Sequence, residues 1–249
     1  MISYKKHRYN MSGGGVMDNR AVPWPEQARL HVLVGYPGSG KTEFAVNLAL
    51  ELARLERPAA LADLDTVNPY FRSRERQELL EQRGIRLVSN SRLCADADVP
   101  SVPAELNTLL EDENLCSVLD IGGGPVGARI LARYRFRLAE QNLRICFVLN
   151  ANRPATGTPE GALEALREIE SAIGLPVTCI VHNTHLCGET GEEDIRFGAE
   201  VARQTAEAAG IPILCHVVHH TLAEKVADLE EPVFPVRLYM NKSWEEPGI

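Results

Sequence analysis

The stretch LHVLVGYPGSGKT, residues 30–42, decides the fold of this chain. Its first part, Leu30–Val34, is apolar and has the length of a strand, and a helical pattern begins at Thr42. Between them, the glycines let successive main-chain amides turn toward one point, where the N-terminus of the helix adds its dipole. The stretch therefore predicts an anion-binding loop between a strand and a helix.

Residues Gly35–Thr42 follow the pattern Gly-x4-Gly-Lys-Thr of a P-loop, in the strand-to-helix context that this motif requires. In such a loop the lysine, here Lys41, reaches the β- and γ-phosphates of a nucleotide, and the hydroxyl of Thr42 ligates Mg²⁺. We therefore predict that the chain binds a nucleoside triphosphate together with Mg²⁺.

Beyond the loop, short apolar runs alternate with longer amphipathic ones, which predicts an α/β protein with a central, mostly parallel sheet. With helices on both faces, the expected architecture is the three-layer P-loop NTPase fold. The predicted strands are Leu30–Val34, Ala59–Leu64, Ile85–Val88, Ser117–Ile121, Ile145–Leu149, Val177–Val181 and Ile211–Val218. The predicted helices are one that starts at Thr42 and stops before Pro58, and then Ser73–Gln82, Gly127–Glu140, Pro159–Ile173 and Glu193–Ala209.

The length of 249 residues suits one large α/β domain. Residues 1–28 show neither helical nor strand periodicity and are interrupted by glycine and proline clusters. We expect them to form a flexible N-terminal leader, followed by a single P-loop nucleotide-binding domain over residues 29–249.

The net charge of −8 and the pI near 5.5 make a nucleic-acid partner unexpected. No apolar run approaches the roughly 18 residues of a membrane span, and no apolar core follows the basic N-terminus as a secretion signal would require. The six cysteines are scattered, which favours small buried hydrophobes in a reducing compartment over a disulfide framework. We therefore predict a cytoplasmic protein.

Two strand ends carry carboxylates that belong beside the P-loop. Asp120 ends the apolar strand that begins at Ser117 and is followed by Gly122–Gly124, so it can hold a Mg²⁺-bound water while the glycines approach a γ-phosphate. Asp63 and Asp65 are two residues apart and share one face of their strand. Asp65 lies nearer the carboxyl edge, where open α/β sheets bind ligands.

Together, these motifs resemble the MinD/ParA/CobQ-type branch of P-loop proteins, within the SIMIBI class. The resemblance extends from about Leu30 to about Val218, and only the P-loop is a highly specific motif. It implies that Asp65 positions the attacking water and touches the Mg²⁺ shell, and that Asp120 is a second-shell Mg²⁺ ligand. It also implies that Asn183, after the sixth strand, bonds the nucleotide base.

The expected site follows from the motifs and the resemblance together. The predicted catalytic residues are Lys41, Asp65 and Asp120, and the predicted Mg²⁺ site comprises Thr42, Asp65 and Asp120. The residues predicted to bind nucleotide are Gly35, Pro37, Gly38, Ser39, Gly40, Lys41, Thr42, Glu43, Gly123 and Asn183.

The chain departs from the family pattern at two positions. Family members that act in DNA partitioning and cell division carry a lysine after the first P-loop glycine, which reaches the phosphates of the other subunit, whereas this chain has Tyr36. GTPases of the group read guanine with an aspartate three residues after the Asn or Thr of an N/T-K-x-D motif, whereas Leu186 stands three residues after Asn183. A guanine without that carboxylate would leave ring N–H groups unpaired, so we predict ATP as the nucleotide.

We therefore predict a Mg·ATP-binding switch that hydrolyses ATP slowly and acts with a protein partner or as a homodimer. One alternative is a small-molecule phosphotransferase or ATP-dependent ligase, for which the polar loop at 150–161 would form a wall of the substrate site; the same loop equally suits a simple helix cap at Pro159. The other is a metal-handling accessory NTPase. Its candidate ligands are His182, His185, Cys187, Cys215, His216, His219 and His220, which lack the paired spacing of a strong site.

Overall fold

Eight parallel strands form a sheet in the computed structural model, which describes residues 28–65, 76–89 and 105–240. The strands are β1 (Leu30–Val34), β2 (Ala59–Leu64), β3 (Arg86–Ser89), β4 (Cys116–Ile121), β5 (Leu143–Leu149), β6 (Cys179–His182), β7 (Ile213–His219) and β8 (Val233–Val236). Their order across the sheet is β3-β2-β4-β1-β5-β6-β7-β8. Every neighbouring pair is parallel, which confirms the expected α/β fold.

Seven helices connect these strands within the described ranges. They are α1 (Lys41–Arg54), α2 (Gln77–Gln82), α3 (Glu105–Glu111), α4 (Gly124–Ala128), α5 (Arg135–Ala139), α6 (Pro159–Ile173) and α7 (Glu192–Ala209). No helix in these ranges has the length and apolar character that a bilayer crossing requires.

The sheet is covered on both faces because alternate residues of its central strands point to opposite sides. Val32 belongs to one apolar cluster, which includes Leu166 and Ile169 of α6. Leu33 belongs to the other cluster, which includes Phe44 and Leu48 of α1. The two cores explain why the central strands are apolar throughout, and they give the molecule its three layers.

Helix α6 matches its prediction at both ends because its signals are local. The hydroxyl of Thr158 accepts a hydrogen bond from the main-chain amide of Gly161 at 3.2 Å, and Pro159 occupies the first turn. Gly174 ends the helix in the left-handed conformation, with φ of 76°. The helix-cap interpretation of the loop before Pro159 is thus confirmed.

The single helix predicted over Gly127–Glu140 is wrong. The chain instead forms α4, a 3₁₀ segment over Arg129–Tyr134, and α5. Pro125 lies in the first turn of α4 and starts it three residues earlier than predicted, as proline does at helix N-termini. The tighter 3₁₀ winding then interrupts the apolar pattern that predicted one continuous helix.

Two elements escape prediction from the sequence. Helix α3 is only seven residues long, and β8 contains Pro235, which argues against a strand in the interior of a sheet. The structure resolves this conflict by placing β8 at the sheet edge. Residues 1–27 of the predicted leader, and residues 73–75 of the helix predicted over Ser73–Gln82, lie outside the described ranges, while Ala28 is buried.

Gly198 sets the distance between α7 and the end of β6. A methyl group there would overlap the Thr184 side chain and lie 2.5 Å from His182 Nε2. Overpacking of this kind costs up to about 3 kcal/mol, more than the roughly 1 kcal/mol that alanine gains in a helix. We expect Gly198→Ala to lower the free energy of unfolding in urea by about 2 kcal/mol.

The matched control is Gly188→Ala, because no atom lies within 4 Å of the position that its methyl group would take. That variant should unfold like the wild type. A Gly198→Ala protein as stable as its control would show that α7 can move away from the sheet at little cost.

Candidate nucleotide-binding site

The predicted site residues converge at the carboxyl edge of the sheet. The P-loop follows β1, which lies between β4 and β5. Asp120 of β4 and Asp65 after β2 therefore stand on one side of the loop, while Asn183 after β6 stands on the other. After β1 the chain continues to β2 on one side of the sheet, whereas after β5 it continues to β6 on the other side. The site lies at this change of direction, which is where open α/β sheets bind ligands.

The P-loop backbone has the conformation that its glycines predict. Gly38 and Gly40 are left-handed, with φ of 76° and 81°, and Gly40 is the residue before α1. The main-chain amide of Ser39 donates to Tyr36 O at 3.2 Å, which closes the turn. The first amides of α1 have no acceptor within their own helix, so they are available to an anion.

Lys41 is almost fully buried beneath this loop, and its ammonium donates to Tyr36 O at 3.2 Å. Burial lowers the pKa of Lys41, while the nearby charges of Asp120 and Asp65 raise it. A lysine ammonium has three N–H donors, and the contact with Tyr36 uses one of them. The others can bind negatively charged phosphate oxygens.

Asp120 is a buried acidic residue whose surroundings disfavour its charged form. It is 1% exposed, and neither carboxylate oxygen has a well-formed hydrogen bond to the described residues. Burial and the charge of Asp63 raise its pKa from 3.8 to about 7, against the opposing effects of the Lys41 ammonium and the nearby Thr42 hydroxyl. Asp63 is its register partner on β2, so this effect is built into the sheet. Water bound to a Mg²⁺ ion near Thr42 would donate the hydrogen bonds that the Asp120 carboxylate lacks.

Asp65 and the glycine turn after β4 lie close together. A methyl group on Gly122 would lie 3.1 Å from Asp65 Oδ1, and one on Gly123 would lie 2.7 Å from Pro37 Cγ. The amide of Gly124 donates to Gly35 O at 3.0 Å. The turn Gly122–Gly124 therefore contacts the P-loop directly, and its predicted approach to a γ-phosphate stays a prediction.

Asn183 is buried beside the P-loop, and its amide Nδ2 donates to Ser39 O at 2.7 Å. Its predicted contact with the base stays a prediction. Leu186, three residues on, is 43% exposed and brings no carboxylate to this side of the site.

The side chain of Glu43 points away from the phosphate loop. Its carboxylate accepts hydrogen bonds from the amides of Tyr239 at 2.6 Å and Met240 at 3.1 Å. Asn47, one turn further along α1, exchanges two hydrogen bonds with the main chain of Arg237, at 2.9 and 3.0 Å. This leaves the main-chain amide of Glu43 for the predicted nucleotide contact, which stays a prediction.

Tyr36 occupies the position at which the resemblance to MinD/ParA-type proteins led us to look for a lysine. Its hydroxyl donates to the carboxylate of Glu168 on α6, and this hydrogen bond raises the pKa of Tyr36 to about 12. The Tyr36 side chain is thus bonded to α6 of the same chain, and it supplies no positive charge to a second subunit.

Sequence reasoning missed the side chains that hold the P-loop from the β5 side. Asn150 Nδ2 donates to both Gly38 O and His185 O at 3.1 Å, and its Oδ1 accepts from the amide of His185 at 3.2 Å. Arg153 Nε donates to Gly38 O at 3.0 Å. The sequence marked this loop only as a polar segment at a strand end, and its contacts with the P-loop bridge residues far apart in the chain.

Two of the histidines proposed as metal ligands, His182 and His216, pair with each other. His182 Nδ1 lies 2.9 Å from His216 Nδ1, and His216 Nε2 lies 3.0 Å from Glu231 Oε2. Burial lowers the pKa of His182 well below its ordinary value. Across the described ranges, no three His, Cys, Asp or Glu side chains converge on a common point that could hold a metal ion.

No family model and no curated protein matches the chain. Solved structures that it resembles include the Signal Recognition Particle 54 kDa protein from Aeropyrum pernix K1 in complex with GDP, with 22% identity and a TM-score of 0.51 over 78% of this chain and 42% of that one. FtsY from Mycoplasma mycoides gives 17% identity and 0.51 over 78% and 61% of the two chains. The cell division protein FtsY from Thermotoga maritima gives 21% and 0.52 over 80% and 64%.

The present chain therefore spans less than two thirds of the length of each of these proteins. At these identities the likeness shows the fold alone. That fold is the three-layer P-loop NTPase fold expected from the sequence, and the likeness does not single out the SIMIBI class or its MinD/ParA branch.

The raised pKa of Asp120 predicts a pH-dependent stability in the protein free of magnesium and nucleotide. The folded state keeps a proton on Asp120 up to about pH 7, whereas the unfolded chain loses it near 3.8. Between these values, the contribution of Asp120 to the free energy of unfolding falls as pH rises, by up to about 1.4 kcal/mol per unit. Asp120→Asn removes this loss, so the variant should gain stability relative to the wild type from pH 5 to pH 7.

Urea unfolding of both proteins across this pH range measures the effect, since other titrating groups cancel in the difference. Parallel stability curves would mean that Asp120 is ionised throughout.

Proposed function

We propose that this protein is a Mg·ATP-dependent molecular switch with slow intrinsic hydrolysis. The observation that carries the proposal is the buried Lys41 ammonium under a left-handed glycine loop, with the buried carboxyl group of Asp120 beside Thr42. Each of these features is costly in the protein alone, and a magnesium-bound polyphosphate would relieve both.

The donor set fits Mg²⁺, which prefers oxygen ligands, keeps several waters and is bound with nucleotide phosphates. Thr42 would supply a hydroxyl oxygen, while Asp120 and Asp65 would hold bound waters. When bound, the ion offsets negative charge on the β- and γ-phosphates.

The residues of the chain then act by position and charge. The P-loop amides and the Lys41 ammonium bind the β- and γ-phosphate oxygens and stabilise the charge that develops on them. Asp65 orients a water for attack on the γ-phosphorus, and the bond to the β–γ bridging oxygen breaks to give ADP and phosphate. Without a further cation at the γ-phosphate, such sites turn over about 10³–10⁵-fold more slowly.

The switch would consist of the Gly122–Gly124 turn. This turn now rests on Pro37 and Gly35 of the P-loop. A γ-phosphate bound at the loop competes for the same space and main-chain amides, so the ATP and ADP states would hold the turn differently. A partner protein or a second copy of the chain that contacts α4 would detect this difference. Tyr36 rules out the trans-acting lysine as the means by which two copies would associate.

ATP is proposed as the nucleotide because Leu186 stands where a guanine-reading carboxylate would be needed. The GDP found in the structure of the Aeropyrum pernix protein belongs to that protein. At the level of fold, the likeness carries no information on the base.

We place the protein in the cytoplasm on the basis of its thiols. Four buried cysteines are free, namely Cys116, Cys146, Cys179 and Cys215. The sulfurs of Cys146 and Cys179 lie 3.5 Å apart, at hydrogen-bond distance and without a disulfide bond. Buried reduced thiols of this kind are typical of a reducing compartment.

Lys41→Ala should lower the affinity for Mg·ATP by about 100-fold or more, because two charge-assisted contacts of at least about 1.5 kcal/mol each are lost. Isothermal titration calorimetry with ATP measures this. Lys225→Ala is the matched control, since Lys225 is exposed in a separate 3₁₀ segment. Unchanged ATP binding by a folded Lys41→Ala protein would refute the proposal.

The wild type should bind ATP more tightly than GTP, and Leu186→Asp should narrow or reverse that preference. The new carboxylate would accept hydrogen bonds from the guanine N–H groups, which contributes about 1.5–3 kcal/mol, or roughly tenfold to a hundredfold. Competition binding with both nucleotides measures the ratio. Equal affinities in the wild type would overturn the assignment of ATP.

A further inference from the structure

The guanidinium of Arg153 lies flat against the P-loop. Arg153 precedes the 3₁₀ turn Pro154–Thr156 that follows β5, and its Nε donates to Gly38 O at 3.0 Å. A methyl group on Gly38 would lie 2.6 Å from Arg153 Nε, 2.8 Å from Cζ and 3.0 Å from Nη2. The cation therefore contacts the loop that would bind the polyphosphate, at a residue where only glycine leaves room for it.

Among the residues that the structure describes, most of the hydrogen-bond donors of this guanidinium have no acceptor. Arginine has five N–H donors, of which the contact with Gly38 engages one. Within the described ranges, no carboxylate forms an ion pair with Arg153, unlike Arg137 or Arg196. The Nη groups thus form a charged, half-buried set of donors at the rim of the site.

The sheet order shows which end of a nucleotide these donors face. Asp65 and Asp120, where the γ-phosphate and Mg²⁺ belong, lie on the β2–β4 side of β1. Arg153 comes from the opposite side, next to β5, together with Asn150 and Asn183. A nucleotide whose terminal phosphate points toward Asp120 must extend its nucleoside toward β5 and β6.

His185 adds to this division of the site. A methyl group on Gly40 would lie 2.8 Å from its Nε2, so the ring borders the loop two residues beyond Arg153's contact. Burial and the Arg153 charge lower the pKa of His185 to about 4, which keeps the ring neutral near pH 7. Of Arg153 and His185, only Arg153 is therefore positively charged near pH 7.

We infer that Arg153 is a nucleotide-binding residue that donates from its Nη groups to the α-phosphate and ribose oxygens. The inference rests on the proposed function, and it assigns the cation to the nucleoside end and away from the γ-phosphate. Because ADP and ATP share the nucleoside end, Arg153 increases the affinity for both nucleotides by a similar factor. It stabilises no charge that appears only in the transition state, so it acts on KM and leaves kcat nearly unaltered.

Arg153→Gln tests the inference, because glutamine keeps part of the length and polarity but removes the charge. We expect the Kd for Mg·ATP and for Mg·ADP each to rise about tenfold to thirtyfold. The KM for ATP should rise in proportion while kcat stays within about twofold. Magnesium pyrophosphate, which has no nucleoside, should compete with a fluorescent ATP analogue equally well for the variant and the wild type.

The control is Arg83→Gln, which removes the same charge from an exposed turn before β3, at the opposite edge of the sheet. It should bind all three ligands like the wild type. If Arg153→Gln fails to fold, Arg153→Lys keeps the charge without the planar donors, and its ATP and ADP affinities should fall together by a smaller factor.

Three outcomes would overturn the inference. A loss of ATP affinity alone, with kcat reduced by about 10³-fold, would place Arg153 at the γ-phosphate. An equal loss of pyrophosphate binding would make it only a brace for the P-loop, and unchanged ATP and ADP affinities would give it no part in binding. A wild type that binds neither nucleotide would refute the proposed function itself, which separates the two failures.

Discussion

The orientation of two peptide groups in the P-loop governs the rest of the site. In a trans peptide the carbonyl and the following amide point in opposite directions. Asn183 holds the carbonyl of Ser39, so the amide of Gly40 is turned to the inner side of the loop. Asn150 holds the carbonyl of Gly38 from the β5 side. Strands β5 and β6 thus fix the direction of the amides before any anion is present, and such preorganisation is what makes a site effective.

The charges around this loop are better compensated when a ligand is bound than in the protein alone. Lys41 lies near Asp65 and Asp120 with little access to water. Burial and the charge of Asp63 raise the pKa of Asp120 to about 7, against the opposing effect of Lys41. A buried charge with an incomplete set of partners lowers stability. The same arrangement gives a large favourable change when a dication and a polyphosphate add their own charges. Under the proposed function, the same residues therefore lower the stability of the unliganded protein and raise its affinity for a magnesium-bound polyphosphate.

The sequence predicted the parts of the molecule whose signals are local. Gly35–Thr42 carries its own conformation, Thr158 and Gly174 mark the ends of α6, and Asp120 follows an apolar strand. The parts that could not be predicted depend on contacts across the chain. Arg153 meets Gly38 over 115 residues, and Glu43 meets Tyr239 over 196. No periodicity or spacing encodes such pairs, because they arise only when the sheet brings the carboxyl ends of its strands together.

The fastening of Glu43 and Asn47 to Arg237–Met240 also has a consequence for the order in which the chain assembles. Helix α1 leaves the ribosome early, yet the main-chain groups that complete its first turns are made 190 residues later. Until then, the Glu43 carboxylate lacks the amides of Tyr239 and Met240, and the Asn47 side chain lacks the main chain of Arg237. A nascent chain therefore cannot complete these contacts of α1 until the segment Arg237–Met240 has been made.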